Sequence, residues 1–390
     1  MLEIGVGVVV GILIILILGF RRPRKLEQIL KTFYRKEVCI AEKELRFAKG
    51  QVDVVIDNLK LKLKDLFSEK YGINLKDDWV KTGSAFEGLK VKAPDEFEVF
   101  VELDIWHDQS ALFVISQVAS ADMSGYDFIK VSGGSGSLSE MVLGEGTVFH
   151  AQKVLHGFQS VLQKAVSDND DEKQMLTEMD GTTLKVVWNY KNKRGRNKTI
   201  KIELIPCVCS NKRYYIAKPD IFDEKEGTIG KWKIALLDKH QQKMKNVTEK
   251  KRRVLKLALG FCKKDENLAW INQIHLKTVF LHMLDMVPGA WKETDDYFKL
   301  LLEYLLDYLR EGNLPDYFVP KRNLFLNFAQ AHPQTMENAS ARLRFILRSG
   351  NDEIIRVIKG PSNRWLWVKR EYRAQMMPLR KSADLSIWQK

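Results

Sequence analysis

The run EFEVFVEL, Glu96 to Leu103, alternates with a period of two. The alternation puts Glu96, Glu98 and Glu102 on one face of a strand, and Phe97, Val99, Val101 and Leu103 on the other. A strand of this kind buries one face only. The chain must therefore supply strands beside it and a layer against its apolar side.

Other segments meet that demand. Strand patterns recur at Glu96–Ile105 and Ala111–Val118, and Thr182 to Val208 reads as a hairpin. In the hairpin TTLKVVWNY and TIKIELIPCV flank the basic turn KNKRGRNK. Glu203 points opposite to Ile202 and Leu204, so a second acidic side chain leaves a sheet face. VSGGSGSLSEMVLGEG, Val131–Gly146, has the composition of a flexible connection, and His150 to Ala165 reads as a helix. Beyond about Asn246 the period becomes helical, in VLKLALGF, HLKTVFLHMLDM and DYFKLLLEYLLDYLREG. Strands first and helices after predict an α+β chain with two lobes around a cleft. Lys25 to about Tyr71, with Leu26, Ile29, Leu30 and Phe33 at helical spacing, predicts one long helix or two in succession ahead of the sheet.

With 63 Lys and Arg against 50 Asp and Glu, the formal charge is +13. An anionic partner fits this balance, whether nucleotide, nucleic acid or lipid. Four scattered cysteines, Cys39, Cys207, Cys209 and Cys262, suit a reducing compartment rather than a disulfide framework, and their spacing provides no structural zinc site. Ile4 to Phe20 is uncharged and is followed at once by Arg21, Arg22, Arg24 and Lys25. At 1.5 Å per residue it spans about 25 Å, close to a hydrocarbon core of about 30 Å. Charge after rather than before the apolar run predicts a retained single-pass anchor with the main domain in the cytosol. Mitochondrial outer membrane, endoplasmic reticulum and plasma membrane stay open.

Carboxylates brought onto adjacent strands repel unless protons or cations neutralise them. Hard oxygen ligands suit Mg²⁺ or Mn²⁺, which bridge nucleotide phosphates and activate an attacking hydroxyl. Gly83-Ser84, eleven residues ahead of Glu96-x-Glu98, adds backbone N–H donors and a hydroxyl for phosphate oxygens. With Glu203 as a third acid, these residues predict phosphoryl or nucleotidyl transfer.

Gly83-Ser84, Glu96-Phe97-Glu98, IELIP with Glu203, WKIALLDKH, HLKTVFLHM and PDYFVPKRNLF follow one another in an order that resembles the Mab-21 family, from about Gly72 to Leu347. That family includes cyclic GMP-AMP synthase and the animal cGAS-like receptors. The resemblance implies a bilobal nucleotidyltransferase fold: anchor over 1–24, spine segment over 25–71, core over 72–245, helical lobe over 246–347 and a basic tail over 348–390. It implies that Glu96, Glu98 and Glu203 hold Mg²⁺ (or Mn²⁺) and carry catalysis. Gly83 and Ser84 would bind the triphosphate of ATP or GTP, with Lys233 and Lys256 also at the nucleotide.

Departures from the pattern are informative. The cyclic GMP-AMP synthase pattern has Asp where this chain has Glu98 and Glu203, and an extra methylene displaces a bound ion by about 1 Å, a misplacement that can cost ~10²-fold. Glu-Phe-Glu also occurs in family members without demonstrated catalysis. Ile274 replaces a base-stacking aromatic whose worth is about 1–3 kcal/mol. The zinc-binding insertion that grips DNA is missing, with a single His240 and no cysteine between Trp232 and Leu257. The run Lys243, Lys245, Lys250, Lys251, Arg252 and Arg253 is a candidate contact for double-stranded RNA, against the reading of a solvated helix face. Two functions follow from the resemblance: a cyclic-dinucleotide-forming enzyme, or a non-catalytic, membrane-held adaptor that binds nucleotide or protein.

Overall fold

A computed structural model describes residues 24–106, 111–117, 125–133, 136–143, 148–168, 175–180, 183–192, 195–218 and 230–360. The expected anchor and most of the basic tail lie outside these residues. Among the described residues no helix is long and apolar enough to cross a membrane.

Eleven described strands form one mixed sheet: β1 (Val80–Thr82), β2 (Glu96–Glu102), β3 (Ala111–Gln117), β4 (Tyr126–Gly133), β5 (Val142–Leu143), β6 (Val148–Phe149), β7 (Met175–Asp180), β8 (Thr183–Lys191), β9 (Asn197–Ser210), β10 (Arg213–Ile216) and β11 (Trp232–Ala235). The main path runs β1-β2-β9-β10-β11-β4-β6-β5, with β3 on β4 and the β7–β8 hairpin on β9. All described pairs are antiparallel except β2 with β9. A parallel pair needs a long crossover, and here the crossover carries β3 to β8 and a helix.

The helices are α1 (Arg24–Phe33), α2 (Glu42–Tyr71), α3 (Ala151–Ser167), α4 (Leu237–Lys245), α5 (Glu249–Cys262), α6 (Gln273–Met286), α7 (Thr294–Glu311), α8 (Leu326–Ala331), α9 (Pro333–Ser349) and α10 (Asn351–Lys359). The expected leading helix is thus two, joined by a π-turn at Tyr34–Val38. α2 runs 30 residues because Ala48, Val52, Val55, Ile56, Leu59, Leu63 and Phe67 keep one apolar face at 3–4-residue spacing. It ends at Gly72, whose left-handed φ of 70° turns its N–H onto the Ser68 carbonyl.

Two main cores result. The first packs α2 and α3 on the sheet face carrying Phe97, Val99, Val101, Ile202 and Leu204. The second joins α5, α6, α7, α9 and α10, and also takes in Leu26, Leu30 and Phe33 of α1. Ile354, Ile355 and Ile358 of α10 belong to it, so helical packing continues past residue 347, where the sequence reading ended the lobe. The glycine- and serine-rich run also differs from the expected loop. Val131, Ser132 and Gly133 are the last residues of β4, Gly136–Met141 forms a 3₁₀ turn, and Leu138, Met141 and Val142 are buried in the first core.

Gly260 lets α5 and the π-turn meet. A Cβ there would stand 2.6 Å from Val38 Cγ2 and 3.3 Å from Phe33 Cζ. Gly260→Ala is expected to destabilise by about 1–3 kcal/mol through overpacking, despite the gain in helix propensity. Adding Val38→Ala should recover part of that loss, and denaturant unfolding of the two variants reads the difference.

Candidate functional site

The register of the parallel pair sets the site. Glu98 stands directly opposite Glu203, with Glu96 opposite Lys201 and Glu102 opposite Cys207. Period-two alternation puts Glu96, Glu98, Phe100 and Glu102 on the face away from the first core, together with Glu203, Ile205 and Cys207. Further along that face Phe100, Ile205, Cys207, Ile216 and Leu237 form a small third core that closes one end. Glu102 lies beside it, 8% exposed, with its carboxylate on Lys76 Nζ at 2.6 Å. It is spent on that pair and plays no part with the other acids.

Lysines neutralise the remaining carboxylates. Lys218 Nζ lies 2.8 Å from Glu203 Oε2 and 3.8 Å from Glu98 Oε1. One ammonium thus bridges the two acids, and the two bridges laid end to end keep their oxygens inside about 7 Å, within the reach of a two-metal centre. Burial alone would lower the Lys218 pKa. The Glu203 and Glu98 charges and the Glu203 hydrogen bond outweigh burial and hold it above the ordinary lysine value. Glu96 is held elsewhere: Lys90 Nζ donates to it at 3.0 Å and also lies 2.9 Å from Asp95, and Lys185 lies 3.7 Å from Glu96. Burial pushes the Glu96 carboxyl up, but Lys90 and then Lys185 outweigh this and hold it below the usual carboxylate range. The three predicted acids are not gathered at one point. Among the described residues, the acidic group with mutual spacings within 4.8 Å is instead Glu27, Glu293 and Asp295.

Do these residues fit a divalent cation? Lys218 is itself a stand-in ion, since its ammonium occupies the point between Glu98 and Glu203 where a cation would be shared. Those two acids fit a hard metal ion. Glu96, on the same face one pleat repeat away, is engaged by Lys90 and Lys185 instead.

The predicted Gly83-Ser84 turn is in place. Gly83 has φ +82°, which favours glycine, and a Cβ there would fall 2.7 Å from Glu98 Oε2. The turn closes on itself: Glu87 N–H donates to the Gly83 carbonyl at 3.0 Å, and the Leu89 and Lys90 amides donate to the Ser84 carbonyl at 2.8 and 2.9 Å. Lys233 on β11 stands opposite Ile216 of β10, which stands opposite Cys207 of β9, so the registers place it on the acid-bearing face. Lys256 is half-buried on α5, and Ile274 is 39% exposed in the first turn of α6.

The six-residue basic run does not form one open stripe. Lys243 pairs with Asp285 at 2.7 Å, Lys250 bonds the Lys292 carbonyl, Lys251 covers the Trp291 ring and Arg253 the Tyr34 ring. Arg252 turns inward onto the carbonyls of Val247, Met244 and Glu87. Lys245 is exposed at the end of α4. His275 caps α6 in a reciprocal box with Asn272, and His282 Nε2 meets the Pro315 carbonyl at 2.9 Å, so both are structural.

Sequence reasoning missed Lys90, Lys185 and Lys218. Hairpin pairing across the basic turn already places Lys185 opposite Glu203 and was there to be read. The position of Lys218, beyond β10, has no comparable local signal.

Comparison with known proteins identifies the family. A model of the Mab-21 nucleotidyltransferase domain matches residues 85–226, and one of the Mab-21 HhH/H2TH-like C-terminal domain matches 240–344. The chain is 24% identical over 344 residues to cyclic GMP-AMP synthase-like receptor 3 of Stylophora pistillata, covering 82% of this chain and 94% of the relative. It is 22% identical over 357 residues to cyclic GMP-AMP synthase of Mus musculus, covering 78% and 66%. It is 40% identical over 73 residues to the mitochondrial dynamics protein MID49 of Xenopus laevis, a match covering 18% and 16%.

Gly83→Ala should strain the turn and drive Glu98 off its position at nearly unchanged fold. Amide hydrogen exchange at Glu87 and Leu89 should rise while the circular dichroism spectrum is kept. A second expectation concerns His240, whose pKa burial, with help from Lys277, lowers to about 3. Between that value and the unfolded value near 6.5 the unfolded chain binds the extra proton, so stability falls as pH drops through this window. His240→Gln should flatten the decline in thermal midpoint between pH 7.5 and pH 5.

Proposed function

The chain belongs to the Mab-21 family, and from that premise we propose that it is a cGAS-like nucleotidyltransferase that binds ATP and/or GTP with Mg²⁺ (or Mn²⁺) and joins them into a cyclic dinucleotide or a related product. The observation that carries the reading is Glu98 opposite Glu203 on parallel neighbours, with the Gly83 backbone packed on the Glu98 carboxylate. A chain freed from catalysis has no chemical reason to hold two carboxylates face to face, since their repulsion costs stability without a cation.

Each residue has a task in this reading. Glu98 and Glu203, joined by Glu96, would hold the metal ions; once bound, such ions neutralise the triphosphate and polarise the attacking hydroxyl. Ser84 offers its hydroxyl, and the turn its amides, to phosphate oxygens. Lys218 leaves the carboxylates when substrate arrives. Lys233, on the same face, supports the nucleotide. With Ile274 in place of an aromatic, base recognition rests on polar contacts and shape rather than stacking. The apolar run Ile4–Phe20 is proposed to hold this machinery at a membrane from the cytosolic side.

A second reading is favoured by one observation. The Lys218 bridge satisfies the acids without metal, which suits an adaptor that binds nucleotide and does not turn it over. The test incubates the full chain with labelled ATP and GTP, Mg²⁺ or Mn²⁺, and double-stranded RNA, DNA or neither. A phosphatase-resistant product that disappears in Glu98→Ala and in Glu203→Ala is the expected result. Nucleotide binding without product under every condition would overturn the enzyme in favour of the adaptor.

A further inference from the structure

The turn carrying Gly83 and Ser84 belongs to neither lobe alone. Ala85 is buried in the first core, whereas Leu89 and Val91 are buried in the second. Residues 85 to 91 therefore cross from the sheet to the helical lobe, and Glu87 lies at the crossing. Its carboxylate accepts from Lys277 Nζ of α6 at 2.7 Å, with the two side chains 9% and 8% exposed. Its carbonyl accepts from Arg252 Nη1 of α5 at 3.2 Å. The remaining Arg252 donors are committed to the Met244 and Val247 carbonyls at the α4–α5 junction. That guanidinium is fixed to the helical lobe and cannot follow the turn.

The contacts continue without a gap from Glu87 to the acids. The Glu87 amide closes on the Gly83 carbonyl, and Gly83 lies against Glu98. At the other end of the turn the Lys90 amide closes on Ser84 while its ammonium holds Glu96. Lys277 and Glu87 are 190 residues apart in sequence, so their pair forms only when the two lobes are docked. A buried ion pair is strongly sensitive to the loss of one partner, because the other is left charged in a dry site. A tie of that kind makes the conformation of the turn conditional on lobe docking.

We propose that Lys277, through its buried pair with Glu87 and with Arg252 on the Glu87 carbonyl, is the positioning residue by which the helical lobe holds Gly83 and Ser84 against the acids. This rests on the nucleotidyltransferase reading for its consequence, that nucleotide affinity depends on the docking of the helical lobe. It stands apart from that reading in its structural content.

The test uses the full chain and two readouts. In Lys277→Met, amide hydrogen exchange at Glu87, Leu89 and Lys90 should rise at least about tenfold, while amides within α6 and α7 keep their protection. The dissociation constant for ATP with Mg²⁺ should rise about tenfold. Lys277→Arg should retain both, and the reversed pair E87K/K277E should restore part of each. If Lys277→Met does not fold, the E87Q/K277M double variant, which leaves no unpaired buried charge, carries the same comparison. Exchange that rises evenly through both lobes, or a turn that stays protected, would overturn the proposal. If the native chain binds neither ATP nor GTP, the nucleotidyltransferase reading falls. The exchange measurement then decides the positioning role by itself, selective loosening of the turn supporting it and uniform change refuting it.

Discussion

β2 and β9, more than ninety positions apart along the chain, lie side by side and parallel, and most other features of the molecule follow from that contact. The crossover needed to make two strands parallel carries α3 and the outer strands. The register puts like charges in opposition at Glu98 and Glu203. Opposed carboxylates are unfavourable in isolation, so the fold brings a cation to them, Lys218 from the segment after β10, while Lys90 from the connection after Gly83-Ser84 and Lys185 from β8 hold neighbouring Glu96. The sheet thereby creates an electrostatic problem whose solution draws the surrounding loops inward.

Much of this was legible in the sequence, and the parts that were share one property: they are local. Alternation in EFEVFVEL identifies which side chains share a face, and the residues flanking KNKRGRNK define the hairpin whose pairing brings Lys185 to Glu203. Helical periodicity after Asn246 marks the helices of the second core, while the preceding helix Leu237–Lys245 gives no such signal. Val131–Gly146 was misread because composition outweighed pattern there. The glycines and serines suggest a free loop, yet Leu138, Met141 and Val142 find places in the first core and hold it down. Lys218 and the Glu87–Lys277 pair were beyond sequence reasoning for a different reason. Their partners are chosen by tertiary packing between segments with no shared period, and lysines are too common in this chain for one to stand out.

The charge state of the site bears on how a ligand enters it. The overall positive charge is not spread as an open surface around the acids, since several lysines and arginines of the basic run are engaged with carboxylates, carbonyls or aromatic rings. Around Glu96, Glu98 and Glu203 the lysines are close to balancing the carboxylates. On the proposed nucleotidyltransferase reading, a metal–nucleotide complex would exchange partners with ammonium groups rather than fill a bare anionic hole. Exchange of this kind changes net charge little, and the desolvation of the acids has already been met in folding.

α1 does not share a core with α2. Leu26, Leu30 and Phe33 are buried with the helical lobe, and α10 at the other end of the described chain packs there as well, Lys264 donating to the Ile358 carbonyl. Both ends of the described chain therefore leave from the same lobe. A mechanical load applied at the N-terminus would pass first into that lobe through α1 and the close contact at Gly260. It would reach the sheet through α2, the turn at Glu87 and the β11–α4 connection, where Leu237 packs on Phe100 and Ile205. The helical lobe is thus the part of the molecule that a load at either described end meets first.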